Sequence, residues 1–164
     1  WMPFIDYLFG PMIKGGCCVL VPEPTGSHAV TPASLRALVQ KHGATILGFV
    51  PPVLDIFLDE DLPPTLNCVC VGGAAVPADL CRRTASAFGK HRDGVRRFLA
   101  TGYHGTEQGD VTQIQVSSDA DVERFVSAKG FMTSGRPHTI QRCAVLDQGM
   151  QPVGPGGVGE ITVC

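Results

Sequence analysis

A chain of 164 residues, 44% of them hydrophobic and 17% charged, is long enough to bury a sizeable core and has the make-up of an ordinary globular domain. Its formal net charge of -2 gives no overall attraction to nucleic acid or to acidic membranes. No apolar run approaches the roughly 18 residues that span a bilayer, so no membrane segment is expected, and the first residues lack the charged-then-apolar order of a signal peptide.

Apolar and turn signals alternate along the chain. Pro3 to Lys14 reads as a helix stopped by Gly15-Gly16, and Cys17 to Val21 is a continuous apolar run of the kind found in a buried strand. Thr31-Pro32 predicts a helix start, a capping hydroxyl followed by proline in the first turn, with Leu35, Leu38 and Val39 as the buried stripe up to Gly43. Ala44 to Val50 reads as a strand ended by Pro51-Pro52, Val53 to Leu58 as a short helix, and Leu66 to Val71 as a further strand. Pro77 opens a helix through Phe88, and Arg96 to Ala100 is a strand that feeds a loop at Tyr103. After Val116 shorter strands and turns are expected, with Gln148-Gly149 and Gly154-Pro-Gly-Gly157 as turn signals.

This order predicts an α/β fold, a helix-covered, largely parallel sheet with helices on both faces. Residues 1–139 form its core and residues 140–164 a small β-rich appendage of the same unit. Ligands bind at the carboxyl ends of such strands, which places Gly72-Gly73 and Gly102 to Glu107 on one edge as neighbours.

Seven cysteines without a Cys-x-x-Cys spacing do not indicate a metal site. Cys17, Cys18, Cys68, Cys70 and Cys164 fall in apolar runs, where a reduced thiol packs as a small hydrophobe, so a cytoplasmic setting is expected. Six of the thirteen basic residues gather in Arg82, Arg83, Lys90, Arg92, Arg96 and Arg97; a solvated face is the simpler reading than a phosphate patch. The histidines at 28, 42, 91 and 138 lack ligand spacing and default to surface or cap roles.

Chemistry concentrates in residues 101–113. Gly102 and Gly105 let the backbone approach a ligand, Tyr103 offers a flat face to a base, Thr106 a hydroxyl to a phosphate oxygen, and Glu107 a hard carboxylate of the kind Mg²⁺ prefers. No Gly-x-x-x-x-Gly-Lys-Ser/Thr loop, His-Glu-x-x-His or Gly-x-Ser-x-Gly occurs.

Tyr103 to Glu107 resembles the Tyr-Gly-x-Thr-Glu motif of the adenylate-forming superfamily. Val71-Gly-Gly-Ala-Ala-Val-Pro77 is similar to its Gly-Gly-Ala-x-x-Pro turn, and Ser134-Gly-Arg-Pro137, Val145-Leu-Asp147, Pro152-Val153 and Gly159-Glu-Ile161 to the run that follows in peptide-synthetase adenylation domains. The four segments stand in order over most of the chain from about residue 44.

The resemblance implies an ATP-dependent enzyme that joins a carboxylic or amino acid to AMP and passes the acyl group to the phosphopantetheine thiol of a carrier-protein domain. An acyl- or aryl-CoA ligase, with CoA as acceptor, shares every residue named here, and a non-catalytic degenerate nucleotide-binding module is the alternative from another class. By the same resemblance Gly73, Ala74, Ala75 and Tyr103 border the adenine, Thr106 meets the α-phosphate, and Glu107 holds Mg²⁺. The acid's pocket would be walled by Phe49, Val69, Val71, Gly102, Asp110 and Val111. At its far end Asp6 is a candidate partner for an α-ammonium if a few residues are deleted before Phe9; an ungapped reading puts Met2 there instead. His104 departs from the pattern, which has Gly at that place. The family's phosphate loop and catalytic Lys do not occur in this sequence, so the chain is expected to be an internal fragment of a longer protein.

Overall fold

A computed structural model describes residues 2–21, 30–91, 93–105, 109–138 and 142–163, with residues 2–7 as backbone. The elements are α1 (Met2–Ile13), α2 (Pro32–His42), β1 (Ile46–Phe49), α3 (Pro51–Phe57), β2 (Cys68–Val71), α4 (Ala78–Gly89), β3 (Phe98–Gly105), β4 (Gly109–Val116), α5 (Asp119–Phe125), β5 (Arg136–Pro137), β6 (Cys143–Leu146) and β7 (Glu160–Val163). Local chemistry accounts for several of the boundaries. Thr31 caps α2 by accepting from the Ser34 amide at 3.1 Å, while the Ser34 hydroxyl accepts from the Thr31 amide at 3.0 Å, a reciprocal box that satisfies two otherwise orphaned donors. Pro51 and Pro52, expected to end a strand, also occupy the first turn of α3, where a missing amide costs nothing.

Five strands form one sheet in the order β1-β2-β3-β4-β5. β1, β2 and β3 are parallel, β4 returns antiparallel to β3, and β5 is antiparallel to β4, so four of the five strands point the same way. β6 and β7 pair antiparallel as a separate two-stranded sheet, in the region where a β-rich appendage is expected.

One face of the large sheet carries the core. Val69 and Val71 of β2, Leu99 of β3, and Ile114 and Val116 of β4 meet Leu54 and Phe57 of α3, Leu80 and Phe88 of α4, and Val122 of α5. The intervening positions point to the other face, where Ile46 and Gln115 are exposed and Cys70 and Gln113 half-buried. The expectation of helices on both faces is therefore met on one face among the described residues.

Three departures from the sequence reading have physical causes. Cys17 to Val21 is not a strand: it pairs with nothing among the described residues, and Leu20 is 71% exposed. Apolar character alone does not make a strand, because the ladder hydrogen bonds need a partner. Residues 119–125 form a helix rather than a turn, capped by Ser118 and Asp121 in a second reciprocal box. Tyr103 does not sit in a loop; β3 runs on through Gly105 and pairs with β4, with a register shift between Tyr103 and His104.

The basic cluster is consumed by structure. Arg82 pairs with Glu123 at 2.6 Å, Arg83 with Asp55 and Lys90 with Asp61, tying α4 to α5, α3 and the segment after α3. Arg97 is buried, and its guanidinium donates to the carbonyls of Leu66 at 3.1 Å and Pro64 at 2.8 Å and bidentately to Asp93 at 2.6 and 2.7 Å. Arg92 lies outside the described residues.

The hydrogen bonds from Arg97, and after them the Val95 amide, hold the Asp93 carboxyl well below its ordinary value of 3.8. A carboxylate depressed by folding contributes stability above its unfolded pKa and loses it as acid protonates the folded form. Asp61, beside Lys90, and Asp121, held first by the Ser117 amide, shift the same way. Thermal melts from about pH 7 to about pH 3 should show the midpoint falling below the ordinary carboxylate range. Asp93→Asn should lower the midpoint at neutral pH and flatten that fall. Parallel curves for the two proteins would show that the pair is not coupled to folding.

Candidate functional site

Parallel pairing of Cys70 with Ala100 sets the carboxyl end of β2 beside the middle of β3, which runs on past it to Gly105. Between them opens a cleft of about 660 Å³, within the range of small-molecule sites. One side is the β2–α4 turn, Gly72 to Val76; the other is the hairpin of β3 and β4, with Tyr103, His104, Gly105, Gly109 and Asp110. Gly48, Phe49 and Val50 close it from β1, and Met132, Thr133 and Ser134 from the segment before β5. The two loops that the sequence places together thus share one cavity.

The turn is built for close approach. Gly73 has φ +80°, a conformation that L side chains rarely adopt, and Ala74 and Ala75 leave the wall shallow. Facing it, the Tyr103 backbone is pinned: its amide donates to the Thr112 hydroxyl at 2.9 Å, and that hydroxyl donates in turn to the Ser134 carbonyl. Thr112 is buried and joins β3, β4 and the Ser134-Gly-Arg-Pro137 segment in one chain of hydrogen bonds. It has no counterpart in the sequence reading, since only the cross-strand register of Tyr103 with Thr112 reveals it.

His104 and Asp110 face each other across the hairpin, and the imidazole Nδ1 meets the Asp110 carboxylate. The far edge of the ring points at the β2–α4 turn, with Cδ2 and Nε2 each 3.8 Å from where a Cβ on Gly72 would stand.

Of the remaining expected site residues, Phe49, Val71 and Gly102 line the cleft together with Gly73, Ala74, Ala75, Tyr103 and Asp110. Val69 and Val111 do not: both are fully buried, Val69 in the core beneath the sheet. Val69 shares the face of Val71 but stands two residues before it, and only the last residue of β2 reaches the cavity from that face. Asp6 is carried by α1, and its side chain lies outside the described atoms. Thr106 and Glu107 lie outside the described residues. Among the described residues no three His, Cys, Asp or Glu side chains gather as a metal site, and no helix is long and apolar enough to cross a membrane. Cys68 and Cys70 lie with their sulfurs 3.8 Å apart, and the contact and burial push the Cys68 thiol up, away from the reactive thiolate.

The AMP-binding enzyme family model matches residues 2–164. Tyrocidine synthase 3 of Brevibacillus parabrevis is 28% identical over 165 residues, covering 98% of this chain and 2% of that protein. Among solved structures, the Bacillus subtilis O-succinylbenzoate coenzyme A synthetase in complex with ATP and magnesium superposes with a TM-score of 0.75 at 19% identity, over 99% of this chain and 30% of that one. An artificially fused adenylation-PCP di-domain from Klebsiella oxytoca gives 0.70 at 17%, over 96% and 27%. These last two likenesses are of fold. The chain spans between 2% and 26% of the length of the curated relatives it matches.

Proposed function

The chain belongs to the AMP-binding enzyme family, and on that premise we propose that it is part of a longer adenylation domain that activates a carboxylic or amino acid with Mg·ATP. One observation carries this reading: the Gly72 to Ala75 turn and Tyr103, separate in sequence, line the same cleft, where β2 ends beside the continuing β3. A nucleotide fits what is present, a shallow wall of small residues at Gly73, Ala74 and Ala75 opposite an aromatic ring in a cavity of suitable volume.

In this proposal Tyr103 stacks on the adenine, with its backbone kept in place by Thr112. Thr106 would donate to the α-phosphate and Glu107 would hold Mg²⁺, which when bound would supply charge neutralisation for attack by the acid's carboxylate and departure of pyrophosphate. Phe49, Val71, Gly102 and Asp110 flank the acid, Val69 and Val111 support those walls from behind, and Asp6 or Met2 stands at the far end. Residues 140–164 complete the unit as its β-rich appendage. Relatives that include a tyrocidine synthase and an adenylation-PCP fusion favour a carrier-protein thiol as acyl acceptor, and the free thiols of the described cysteines suit a cytoplasmic setting.

The test is pyrophosphate exchange into ATP by the intact enzyme across a panel of carboxylic and amino acids. Exchange dependent on one class of acid is expected, and acyl transfer to CoA rather than to a carrier would change the acceptor assignment. Base stacking on an aromatic ring is worth ~1 to 3 kcal/mol, so Tyr103→Ala should weaken ATP binding by about 10- to 100-fold. Unaltered ATP affinity in that variant would remove Tyr103 from the site. ATP binding by the wild type without exchange for any acid would favour the degenerate nucleotide-binding module.

A further inference from the structure

We infer that His104, clasped by Asp110, is a specificity-determining residue whose Nε2 accepts a hydrogen bond from an N–H or O–H group of the ligand in the cleft. The inference rests on the adenylation reading for the identity of that ligand, but its geometry does not. His104 and Asp110 are register partners at the end of the β3–β4 hairpin, next to the irregularity after Tyr103, and both line the cleft. A carboxylate only accepts, so the nitrogen that meets Asp110, Nδ1, carries the proton. In the neutral form of the ring the lone pair is then on Nε2, and the hydrogen bond at Nδ1 sets that tautomer.

The orientation of the ring makes this lone pair available inside the cavity. Its Cδ2 and Nε2 edge lies beside Gly72, each atom 3.8 Å from where a Cβ on that residue would stand, which is ordinary van der Waals space. The side chains of His104 and Asp110 are 40% and 44% exposed, so neither is held by core packing and the pair is positioned by their mutual contact. A ligand that enters between the β2–α4 turn and Tyr103 passes this acceptor. Two groups could supply the donor: the exocyclic amine of the nucleobase, or an amine or hydroxyl on the acid.

The experiment measures both on the intact enzyme and its His104→Ala, His104→Gln and Asp110→Asn variants. One arm compares binding of ATP with purine riboside triphosphate, which lacks the exocyclic amine. The other compares KM for the acid that supports exchange with KM for its desamino or deoxy analogue. Wild type should favour the donor-bearing ligand by about tenfold in one arm, the worth of a single hydrogen bond. His104→Ala should erase that preference. His104→Gln, which offers an amide oxygen, should retain part of it, and Asp110→Asn, which permits the other tautomer, should reduce it. The arm that responds identifies the donor. No preference in wild type, a preference that survives His104→Ala in both arms, or equal weakening of both ligands would overturn the assignment. Absence of exchange with every acid would overturn the adenylation reading alone, because the nucleotide arm needs only binding; absence of nucleotide binding as well would overturn both.

Discussion

Gly102→Ala should lower the melting temperature of the protein by about 6 to 12 °C and abolish nucleotide binding in the cleft. A Cβ on Gly102 would stand 1.9 Å from the Thr112 carbonyl oxygen and 2.8 Å from its carbon, distances that real Cβ atoms essentially never show. The obstacle is backbone of β4, so no side-chain rotation relieves it, and the hairpin must open. Overpacking of a well-packed site costs about 1 to 3 kcal/mol, and a clash with main chain belongs at the upper end. Opening the hairpin also breaks the bond from the Tyr103 amide to Thr112 and the bond from Thr112 to Ser134, which together fix the aromatic wall. Gly89→Ala, at the end of α4 with nothing within 4 Å of the added atom, is the control and should be neutral or slightly stabilising. Melts within a degree or two of wild type for Gly102→Ala would mean that β3 and β4 do not approach as closely as described.

Glu107→Gln in the intact enzyme should depress pyrophosphate exchange by about 100-fold or more while leaving the thermal melt unchanged. Glutamine keeps the size and hydrogen-bonding shape but loses the charge proposed to hold Mg²⁺ on the phosphates, and a metal contributes several kcal/mol of charge stabilisation in such a reaction, with about 1.4 kcal/mol per tenfold in rate. The defect should be largest at limiting Mg²⁺ and shrink as the ion is raised. Exchange that is unaltered at limiting Mg²⁺ would make Glu107 a surface residue and withdraw the metal assignment. A lowered melting temperature with normal exchange would instead make it a structural one.

Features that depend on neighbours along the chain were legible from residue order alone. Helix starts at Thr31 and Pro77, the stop at Gly43, and the strands ending at Phe49 and Val71 follow from caps, prolines and apolar runs, whereas β3 runs on past Ala100 to Gly105. The same locality made the family legible, because the Gly72 to Pro77 turn and the Tyr103 segment each hold their chemistry in one short stretch. Two local signals were present and not used: Ser118 with Asp121 at capping spacing, and the alternation of Ile114 and Val116 with Gln113 and Gln115 that marks β4.

Tertiary structure decided the rest, because it concerns partners far apart in sequence. Cys17 to Val21 has the composition of a strand and, among the described residues, no ladder to join. Arg97 reads as part of a solvated basic face but is buried, since it reaches the Pro64 carbonyl at 2.8 Å, and Arg36, which no local signal marks, is buried where it reaches the Phe57 carbonyl at 2.6 Å. Val71 reaches the cleft and Val69 does not, because both face the core and only Val71 stands at the end of β2. The meeting of His104 with Asp110, and of Tyr103 with Thr112, depends on the register of one hairpin and the single shift within it. A one-residue slip would send each of these side chains to the opposite face, and that register is set by packing across the sheet rather than by any of the residues it brings together.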